Sequence, residues 1–429
     1  SGRAKDEKKE EGGSEGKARF PESWRRSPRV LDYPDPISLY VAMEWVTRLL
    51  RRYLGDDHKM LTLETAKFRT DGGVGLPYKY SSKFIYKEDY IKTYANVLFD
   101  FVSKFPNGGN SMWDCFPKVE ILPYNKALDK ARIINGSPVE TFLIGACLYS
   151  TFNEALNDIP LLAKSALGMI VSHGGWRELF DRLPDECENS DATKFDASIS
   201  PKLLKMVYMV RERLSNFSEY ERKLHWWYFN EIVLRRSYLS NGLVYEVYGG
   251  NGSGQYNTSS DNTIAHLLGI AYACIRINMS YREFVEFPCF VYGDDYIGRA
   301  MPESFWDVFK ELGFLFKKSP PRDKMSCDFL SSRFVSTPYG VTAIPVHDKA
   351  LYSSYTSEKK QWMSVRADKL YSLWLQNYFH HDRSIYEEML ESLDLKFSRK
   401  LAVDHWFGWM AVLSEYNGEK QKEREHNSS

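Results

Sequence analysis

Two adjacent aspartates, Asp294 and Asp295, lie in the segment VYGDDYIG (291–298) between runs of aromatic and β-branched residues. Such flanks are typical of two strands, and Gly293 marks a tight turn because glycine tolerates a positive φ. Carboxylates at a turn could hold a divalent cation, which prefers hard oxygen ligands. Asp and Gly are also the commonest turn residues. On these eight residues alone, an ordinary polar turn is therefore the favoured interpretation.

A second pair of aspartates precedes the first. In SDATKFDASISP (190–201), Asp191 and Asp196 are five positions apart and stand just before a helix start. A short β-like run that turns into a capped helix places Asp191 on the strand and Asp196 near its end. Both carboxylates could then face one cleft. The spacing is common by chance, so this pair is weak evidence by itself.

A loop rich in glycine and serine, YGGNGSGQYNTSSDNTIAH (248–266), lies between the two acidic segments and leads into an apolar helix. Backbone N–H groups at such a helix start can bind anions. The glycine spacing fits neither G-x-x-x-x-G-K-[ST] nor G-x-G-x-x-G, so neither nucleotide-binding loop is supported. The alternative is a flexible loop with Ser259, Ser260 or Asp261 as the helix cap.

Basic side chains alternate with apolar ones in KVEILPYNKALDKARII (118–134), a predicted strand-loop-strand. Dispersed cations of this kind suit a polyphosphate better than they suit a core. A solvated charged face is the favoured interpretation when the segment is taken alone. The basic residues are Lys118, Lys126, Lys130 and Arg132.

Hydrophobic periodicity predicts the elements that position these groups. A helix is expected from Pro36 to Leu54, and another over 200–214 with a serine cap and proline at its first position. A buried helix follows over 261–279, and a shorter one over 304–314 stops at a glycine. From about residue 355 the chain reads as mostly helical.

Composition sets limits on the function. The chain has 57 Lys plus Arg and 57 Asp plus Glu in 429 residues, so only local clusters could hold a polyanion. Six cysteines without a CxxC pair argue against a zinc site or a disulfide framework, and reduced thiols fit better. No run of 18 apolar residues occurs, so no transmembrane segment is predicted.

The four segments occur in the order basic finger, D-x₄-D, S-G-x₃-T-x₃-N and Y-G-D-D. This order resembles the RNA-dependent RNA polymerases of positive-strand RNA viruses in the picornavirus, sobemovirus and astrovirus-like supergroup. DATKFDASISP resembles their motif A, SGQYNTSSDN motif B, YGDD motif C and KVEILPYNKALDKARII motif F. GVGLPY (73–78), PPRDK (320–324) and CDFLSSRF (327–334) are similar to motifs G, D and E.

The resemblance implies a site for two Mg²⁺ ions, with Mn²⁺ able to substitute, because phosphoryl transfer needs alignment and charge stabilisation. Asp191 and Asp294 would bridge the metals, and Asp295 would assist. Asp196, Ser253 and Asn262 would read the ribose 2′-hydroxyl, with Thr258 in the same motif. A polar site of this kind favours ribonucleotides, whereas reverse transcriptases usually place an aromatic residue at the position of Asp196.

The remaining site residues also come from the resemblance. Lys130 and Arg132 would hold the incoming triphosphate, supported by Lys118 and Lys126. Lys324 is the candidate general acid for the pyrophosphate, with Lys317 and Lys318 as competitors. The template would contact Gly73, Gly75, Pro77 and Gly254. Polar residues before Asp191 (Glu186, Glu188, Asn189 and Ser190) indicate a short or edge strand there, as in the sobemovirus- and astrovirus-like branch.

The expected fold is an α+β right-hand polymerase with an antiparallel palm sheet backed by helices. The predicted regions are a flexible N-terminal extension (1–35), fingers (36–147), palm with motif A (148–225), a fingers insertion (226–247), palm with motifs B to E (248–337) and a helical thumb with a charged tail (338–429). The expected partners are an RNA template, the product strand, NTPs and other viral replication proteins, in membrane-associated complexes of the host cytoplasm. A reverse transcriptase and a catalytically silent RNA-binding scaffold are the alternatives.

Overall fold

The computed structural model describes residues 34–109, 111–118, 132–170, 174–337, 340–346, 363–379, 383–400 and 402. The predicted flexible extension, apart from its last two residues, and the charged tail lie outside these ranges. Within them, the chain is a mixture of helices and largely antiparallel sheets, as the α+β prediction requires. No described helix combines the length and the apolar character needed to cross a lipid bilayer.

The described helices are numbered in chain order: α1 (Pro36–Leu54), α2 (Lys87–Tyr94), α3 (Asp100–Lys104), α4 (Val139–Asn157), α5 (Trp176–Arg182), α6 (Phe195–Ser198), α7 (Pro201–Arg213), α8 (Glu219–Val233), α9 (Thr258–Arg276), α10 (Tyr281–Glu286), α11 (Glu303–Glu311), α12 (Met363–Gln376) and α13 (Arg383–Ser392). Short 3₁₀ turns occupy Tyr78–Tyr80, Ala95–Val97 and Lys324–Ser326.

The described strands are β1 (Met112–Pro117), β2 (Ile133–Gly136), β3 (Glu186–Ala192), β4 (Leu234–Leu239), β5 (Val244–Tyr248), β6 (Cys289–Tyr292), β7 (Asp295–Arg299), β8 (Phe316–Lys318), β9 (Arg322–Asp323), β10 (Asp328–Phe329), β11 (Ser332–Thr337) and β12 (Gly340–Pro345). They form three sheets, with strand orders β2-β1-β4-β5, β6-β7-β3-β8 and β10-β11-β12.

Local sequence signals fix the starts of two core helices. Asp35 accepts a hydrogen bond from the Ser38 backbone N–H at 2.7 Å, and α1 begins at Pro36 as predicted. Ser200 caps α7 in the same way, accepting from the Leu203 N–H at 3.2 Å. Both helices pack against α9, in which every residue from 260 to 274 is buried. Helix α9 is therefore the centre of the largest hydrophobic core.

Helix α9 begins earlier than the periodicity predicted. Its first residue is Thr258, and the preceding Asn257 makes no side-chain capping bond. The expectation that Ser259, Ser260 or Asp261 caps this helix is wrong, since all three lie inside it. Because their side chains are polar, hydrophobic periodicity could not assign these three residues to a buried helix.

Strand β3 lies inside its sheet. It pairs antiparallel with β7 on one side and with β8 and β9 on the other. The expectation of an edge strand is therefore wrong. The polar side chains that suggested it have internal partners: Glu188 accepts from the Met301 N–H and the Trp306 indole, and Asn189 accepts from the Ser319 hydroxyl.

The sheet β2-β1-β4-β5 joins segments that are far apart in sequence. β1 runs parallel to β4, with Trp113 opposite Ser237, while the other pairs are antiparallel. The basic finger and the predicted fingers insertion (226–247) thus contribute to one sheet. The domain boundaries themselves stay a prediction.

Candidate active site

Asp294 lies at the tip of the hairpin formed by β6 and β7. Tyr292 pairs with Asp295, which leaves Gly293 and Asp294 as a two-residue loop. Gly293 has φ +60°, whereas the φ of Asp294 is not positive. That pattern is the type II′ turn, which matches the twist of the flanking strands and needs glycine at its first central position. The turn predicted from VYGDDYIG is present, and it directs Asp294 out of the sheet.

Helix α9 holds this turn from behind. The Gly293 N–H donates to the Thr263 hydroxyl at 2.9 Å, and the Gly293 carbonyl lies 2.9 Å from the His266 Nδ1. Both side chains are fully buried, and burial lowers the pKa of His266 to about 4. A neutral imidazole therefore donates its Nδ1–H to the carbonyl. Sequence reasoning missed both residues, because polar side chains in a buried helix carry no periodic signal.

Asp191 and Asp294 interact electrostatically. Asp191 is exposed on β3, where its neighbour Ser190 pairs with Tyr296 on β7. Burial, and after it the negative charges of Asp191 and Asp196, together raise the pKa of Asp294 to about 6. The structure thus brings the aspartates of the two predicted motifs to one end of the sheet. Asp295, on β7, is the next residue along from Asp294.

Asp196 lies in the one-turn helix α6, beyond the end of β3, and bonds to Asn262. The Asn262 Nδ2 donates to the Asp196 Oδ1 at 2.5 Å. Burial raises the pKa of Asp196, whereas this hydrogen bond and the charges of Arg132 and Arg235 lower it. Two of the three residues predicted to read a ribose hydroxyl, Asp196 and Asn262, are therefore in direct contact.

Ser253, Gly254 and Thr258 belong to the loop that precedes α9. The Ser253 hydroxyl accepts from the Asn135 N–H at 3.0 Å, and the Gly254 N–H donates to the Asn135 carbonyl at 2.9 Å. A Cβ on Gly254 would lie 2.6 Å from that carbonyl. The Thr258 hydroxyl donates to the Gly252 carbonyl at 2.8 Å. These contacts dock the loop on β2 and explain why glycine stands at 254.

Arg132 immediately precedes β2. Its positive charge lowers the pKa of both Asp196 and Asp294, so Arg132 interacts electrostatically with these two carboxylates. Lys118 follows β1, and its N–H donates to the Arg132 carbonyl at 2.7 Å. Lys126 and Lys130 lie outside the described residues. The positive charge of Arg132 thus acts on the aspartates, and the assignment of the four basic residues to the triphosphate stays a prediction.

The loop of Gly73, Gly75 and Pro77 packs beside the same region. Gly75 has φ +69°, and a Cβ on it would lie 2.7 Å from the Ser137 carbonyl. The Ser137 hydroxyl donates to the Gly254 carbonyl at 3.0 Å. Gly73 forms an isolated antiparallel β-bridge with Tyr86, and Pro77 immediately precedes the 3₁₀ turn Tyr78–Tyr80. The predicted template loop therefore adjoins the loop of Ser253, without any contact that tests template binding.

Lys324 lies at the other end of β3. Its neighbour Asp323 pairs with Glu186, five residues before Asp191, or about 16 Å along a strand. The Lys324 Nζ lies 3.2 Å from Asp185 and over the Phe180 ring. Lys317, by contrast, pairs with Asp191 across the sheet. The structure does not bring Lys324 to the carboxylates, and it places Lys317 beside them.

Comparison with known proteins decides the family. A family profile described as viral RNA-dependent RNA polymerase matches residues 92–401, which is more than half of the chain. The chain belongs to this family. The order of segments 190–201, 253–262 and 292–295 predicted this family, and their assignment to motifs A, B and C stays a prediction.

The polymerase is similar to viral polyproteins. It is 29% identical over 282 residues to the genome polyprotein of Tobacco vein mottling virus and 28% identical over 331 residues to that of Lettuce mosaic virus (strain 0 / isolate French). These matches cover 62% and 70% of the chain but only 9% and 10% of the polyproteins. The chain thus spans about a tenth of the length of these relatives.

A solved structure shares the fold. The Sicinivirus 3Dpol RNA dependent RNA polymerase superposes with a TM-score of 0.71 at 16% identity, covering 89% of this chain and 87% of that one. The right-hand arrangement of fingers, palm and thumb is confirmed. The sheet β6-β7-β3-β8 is the palm sheet, and all of its pairings are antiparallel.

Polymerases of this family generally use divalent metal ions. Within the described ranges, no group of three His, Cys, Asp or Glu side chains is arranged to hold one. The donor chemistry nevertheless fits: burial, and after it the negative charge of Asp191, raise the pKa of Asp294, and a bound cation would favour its ionised carboxylate. Asp191 and Asp294 are the residues that would hold it.

Proposed function

We propose that this polymerase copies an RNA template by transferring nucleotidyl groups from NTPs to the 3′ end of a growing RNA during viral genome replication and transcription. One observation carries the proposal. The carboxylate on the hairpin tip, Asp294, interacts electrostatically with Asp191 and with the Asp196 that bonds to Asn262. Groups suited to phosphoryl transfer and groups suited to ribose recognition thus meet at one end of the palm sheet.

The residues divide the chemistry between them. When bound, Mg²⁺ or Mn²⁺ would activate the attacking 3′-oxygen and stabilise the leaving pyrophosphate. Asp191 and Asp294 would contribute the negative oxygens that hold the cations, and Asp294 would be an effective ligand only when deprotonated. Asp295 stands beside them at the start of β7. Arg132 supplies positive charge toward the triphosphate, which suits a planar guanidinium donor.

Sugar choice rests on Asp196 and Asn262. The Asn262 amide nitrogen carries two hydrogens, and Asp196 accepts one of them. The second hydrogen and the other oxygen of Asp196 can bond a ribose 2′-hydroxyl. A substrate without that hydroxyl would leave these groups unpaired, which favours NTPs over dNTPs. For the general acid, Lys317 is better placed than Lys324, since it lies across from Asp191.

Primed incorporation tests the proposal. Wild type, Asp294→Asn and Asp307→Asn are compared for UTP incorporation on a poly(A) template with an oligo(U) primer. Asp307 is an exposed aspartate on α11 and serves as the matched control. Wild type and Asp307→Asn are expected to extend the primer, whereas Asp294→Asn loses the charge and falls at least a hundredfold, within the roughly 10²–10⁴ range of an essential catalytic group. Equal extension by all three would remove Asp294 from the mechanism.

Two further measurements separate the alternatives. Preference for dUTP over UTP on the same template would indicate a reverse transcriptase. RNA binding without any extension would indicate a silent scaffold. We propose that the polymerase works with other viral replication proteins in membrane-associated complexes of the host cytoplasm, since its relatives are parts of viral polyproteins.

A further inference from the structure

Three residues close a ring of hydrogen bonds at the end of the palm sheet. The Asn251 backbone N–H donates to the Asp196 carbonyl at 2.7 Å. The Asn251 Nδ2 donates to the Asn262 Oδ1 at 2.8 Å, and the Asn262 Nδ2 donates back to the Asp196 Oδ1 at 2.5 Å. Asn251 therefore touches both members of the pair proposed to read the ribose. Only 4% of Asn251 is exposed, so solvent cannot replace its bonds.

The ring fixes which way the Asn262 amide points. Because its oxygen accepts from Asn251, its nitrogen must face Asp196. A flipped amide would set the Asn262 nitrogen against the Asn251 nitrogen, two donors, and the Asn262 oxygen against the Asp196 carboxylate, two acceptors, so both hydrogen bonds would be lost. Asn251 thus determines the orientation in which Asn262 can offer a hydrogen to a sugar hydroxyl.

A second buried side chain, Gln255, fixes Asn251 in turn. The Gln255 Nε2 donates to the Asn251 Oδ1 at 2.5 Å and to the Asp261 Oδ2 at 2.9 Å. Its oxygen accepts from the Tyr228 hydroxyl at 2.9 Å, so the Gln255 amide also has one orientation. A fully satisfied buried network of this kind is rigid.

The network ends on a buried ion pair. Asp261 on α9 accepts from the Arg211 Nε at 2.7 Å, and both side chains are 0% exposed. Arg211 also donates to the Ser260 hydroxyl at 2.7 Å and to the Asn153 Oδ1 at 3.1 Å. The amides are therefore anchored to the helical core through α7 and α9.

We propose that Asn251 and Gln255 are positioning residues for sugar selection, acting through Asn262 and Asp196. The inference rests on the proposed function of this site. A purely structural role is the competing explanation, since Asn251 also donates to the Thr258 carbonyl at 3.3 Å and so ties the loop to α9. Loss of a structural tie would lower the use of every nucleotide alike. Loss of amide orientation would lower only the preference for ribose.

Asn251→Asp tests the orientation with an isosteric change. The introduced carboxylate still accepts from Gln255 but cannot donate to the Asn262 Oδ1, so the Asn262 amide turns its nitrogen away from Asp196. The measurement is kcat/KM for UTP and for dUTP on poly(A) with an oligo(U) primer. Their ratio is independent of the fraction of folded enzyme. We expect the ratio to fall about tenfold or more, mainly through UTP, as for other sites built to bond a hydroxyl.

A double-mutant cycle shows whether Asn251 acts through Asn262. In an Asn262→Ala background, Asn251→Asp is expected to change the UTP/dUTP ratio no further. Asn251→Ser, which is too short to reach Asn262, replaces Asn251→Asp if that variant yields no soluble protein. Asn377→Asp is the control, because Asn377 is a fully buried asparagine in the C-terminal helices that bonds only to the Leu373 carbonyl among the described contacts.

The outcomes are separable. An unchanged ratio in Asn251→Asp, an equal fall in Asn377→Asp, or an additive effect in the Asn262→Ala background would each overturn the inference while leaving the polymerase activity in place. A wild type that incorporates neither nucleotide would overturn the proposed function itself. A fall in the ratio that disappears in the Asn262→Ala background supports the positioning role.

Discussion

Thr263→Val tests whether helix α9 holds the catalytic turn. Valine has the shape of threonine, so the change removes only the hydroxyl, which accepts from the Gly293 N–H at 2.9 Å and donates to the Ser259 carbonyl at 2.8 Å. Thr263 and Gly293 are both buried, and water cannot supply a replacement acceptor. An unpaired buried donor costs about 1–3 kcal/mol. The His266 bond to the Gly293 carbonyl remains and keeps the turn attached on one side.

That free energy can be observed in either of two places. If the turn stays where it is, the free energy of unfolding falls by about 1–3 kcal/mol. If the turn moves so that the N–H finds another partner, Asp294 moves with it and the rate of incorporation falls instead. A tenfold fall corresponds to about 1.4 kcal/mol. The structure predicts that the loss in free energy of unfolding and the loss in rate, expressed as a free energy, together amount to about 1–3 kcal/mol.

Urea denaturation and initial rates of UTP incorporation measure the two losses in the same preparation. Thr263→Ser is the control, because it keeps the hydroxyl and removes one methyl group. It is expected to lose about 1 kcal/mol of stability with an unchanged rate. If Thr263→Val matched wild type within about 0.5 kcal/mol and kept its rate, the hydrogen bond to Gly293 would not hold the turn.

Three further predictions follow from the same end of the palm sheet. Gly293→Ala should lower the free energy of unfolding by about 1–2 kcal/mol because of the positive φ at this position. Space is not the cause, since the nearest atom to a new Cβ is 4.0 Å away. A loss below about 0.5 kcal/mol in urea denaturation would show that the turn had changed type. Lys317→Met should reduce incorporation at least tenfold, whereas Lys324→Met should stay within about twofold of wild type. The reverse result would restore Lys324 as general acid. Burial lowers the pKa of His266 to about 4 in the folded protein, whereas the unfolded chain binds a proton there below about pH 6.5. Between pH 7.5 and pH 5, the free energy of unfolding of wild type should therefore fall by about 2 kcal/mol relative to that of His266→Asn. Equal pH dependence of the two proteins in urea denaturation would refute the lowered pKa.

The sequence was sufficient for the parts of the site whose residue types are demanded by chemistry. Asp191, Asp196, Asn262 and Asp294 could be found because their spacing and order follow a polymerase pattern. Helix α1 could be placed from its apolar periodicity, and helix α7 from a serine cap followed by a proline. Such local signals need no knowledge of the tertiary contacts.

Tertiary packing decided the rest. Glu188 on β3 suggested an edge strand, yet its carboxylate is 1% exposed and paired with Trp306, which is 118 residues away in sequence. Asn251 and Gln255 lie in a stretch that reads as a polar loop. Their buried bonds join α9 to α6, and no pattern within the loop encodes that contact. Periodicity assumes that polar residues face water, and it fails where polar residues partner each other.

The polar residues at the start of α9 occupy their positions for a physical reason. Asn262 and Thr263 are adjacent on α9, and one bonds to Asp196 of motif A while the other bonds to Gly293 of motif C. A rigid helix therefore sets the distance between the sugar-reading pair and the carboxylate on the turn. An apolar helix could pack equally well in the core, but it would leave the Gly293 N–H and the Asn262 amide without directional partners. The polar residues buried at the start of α9 are thus the contacts that align sugar recognition with the reacting end of the substrate.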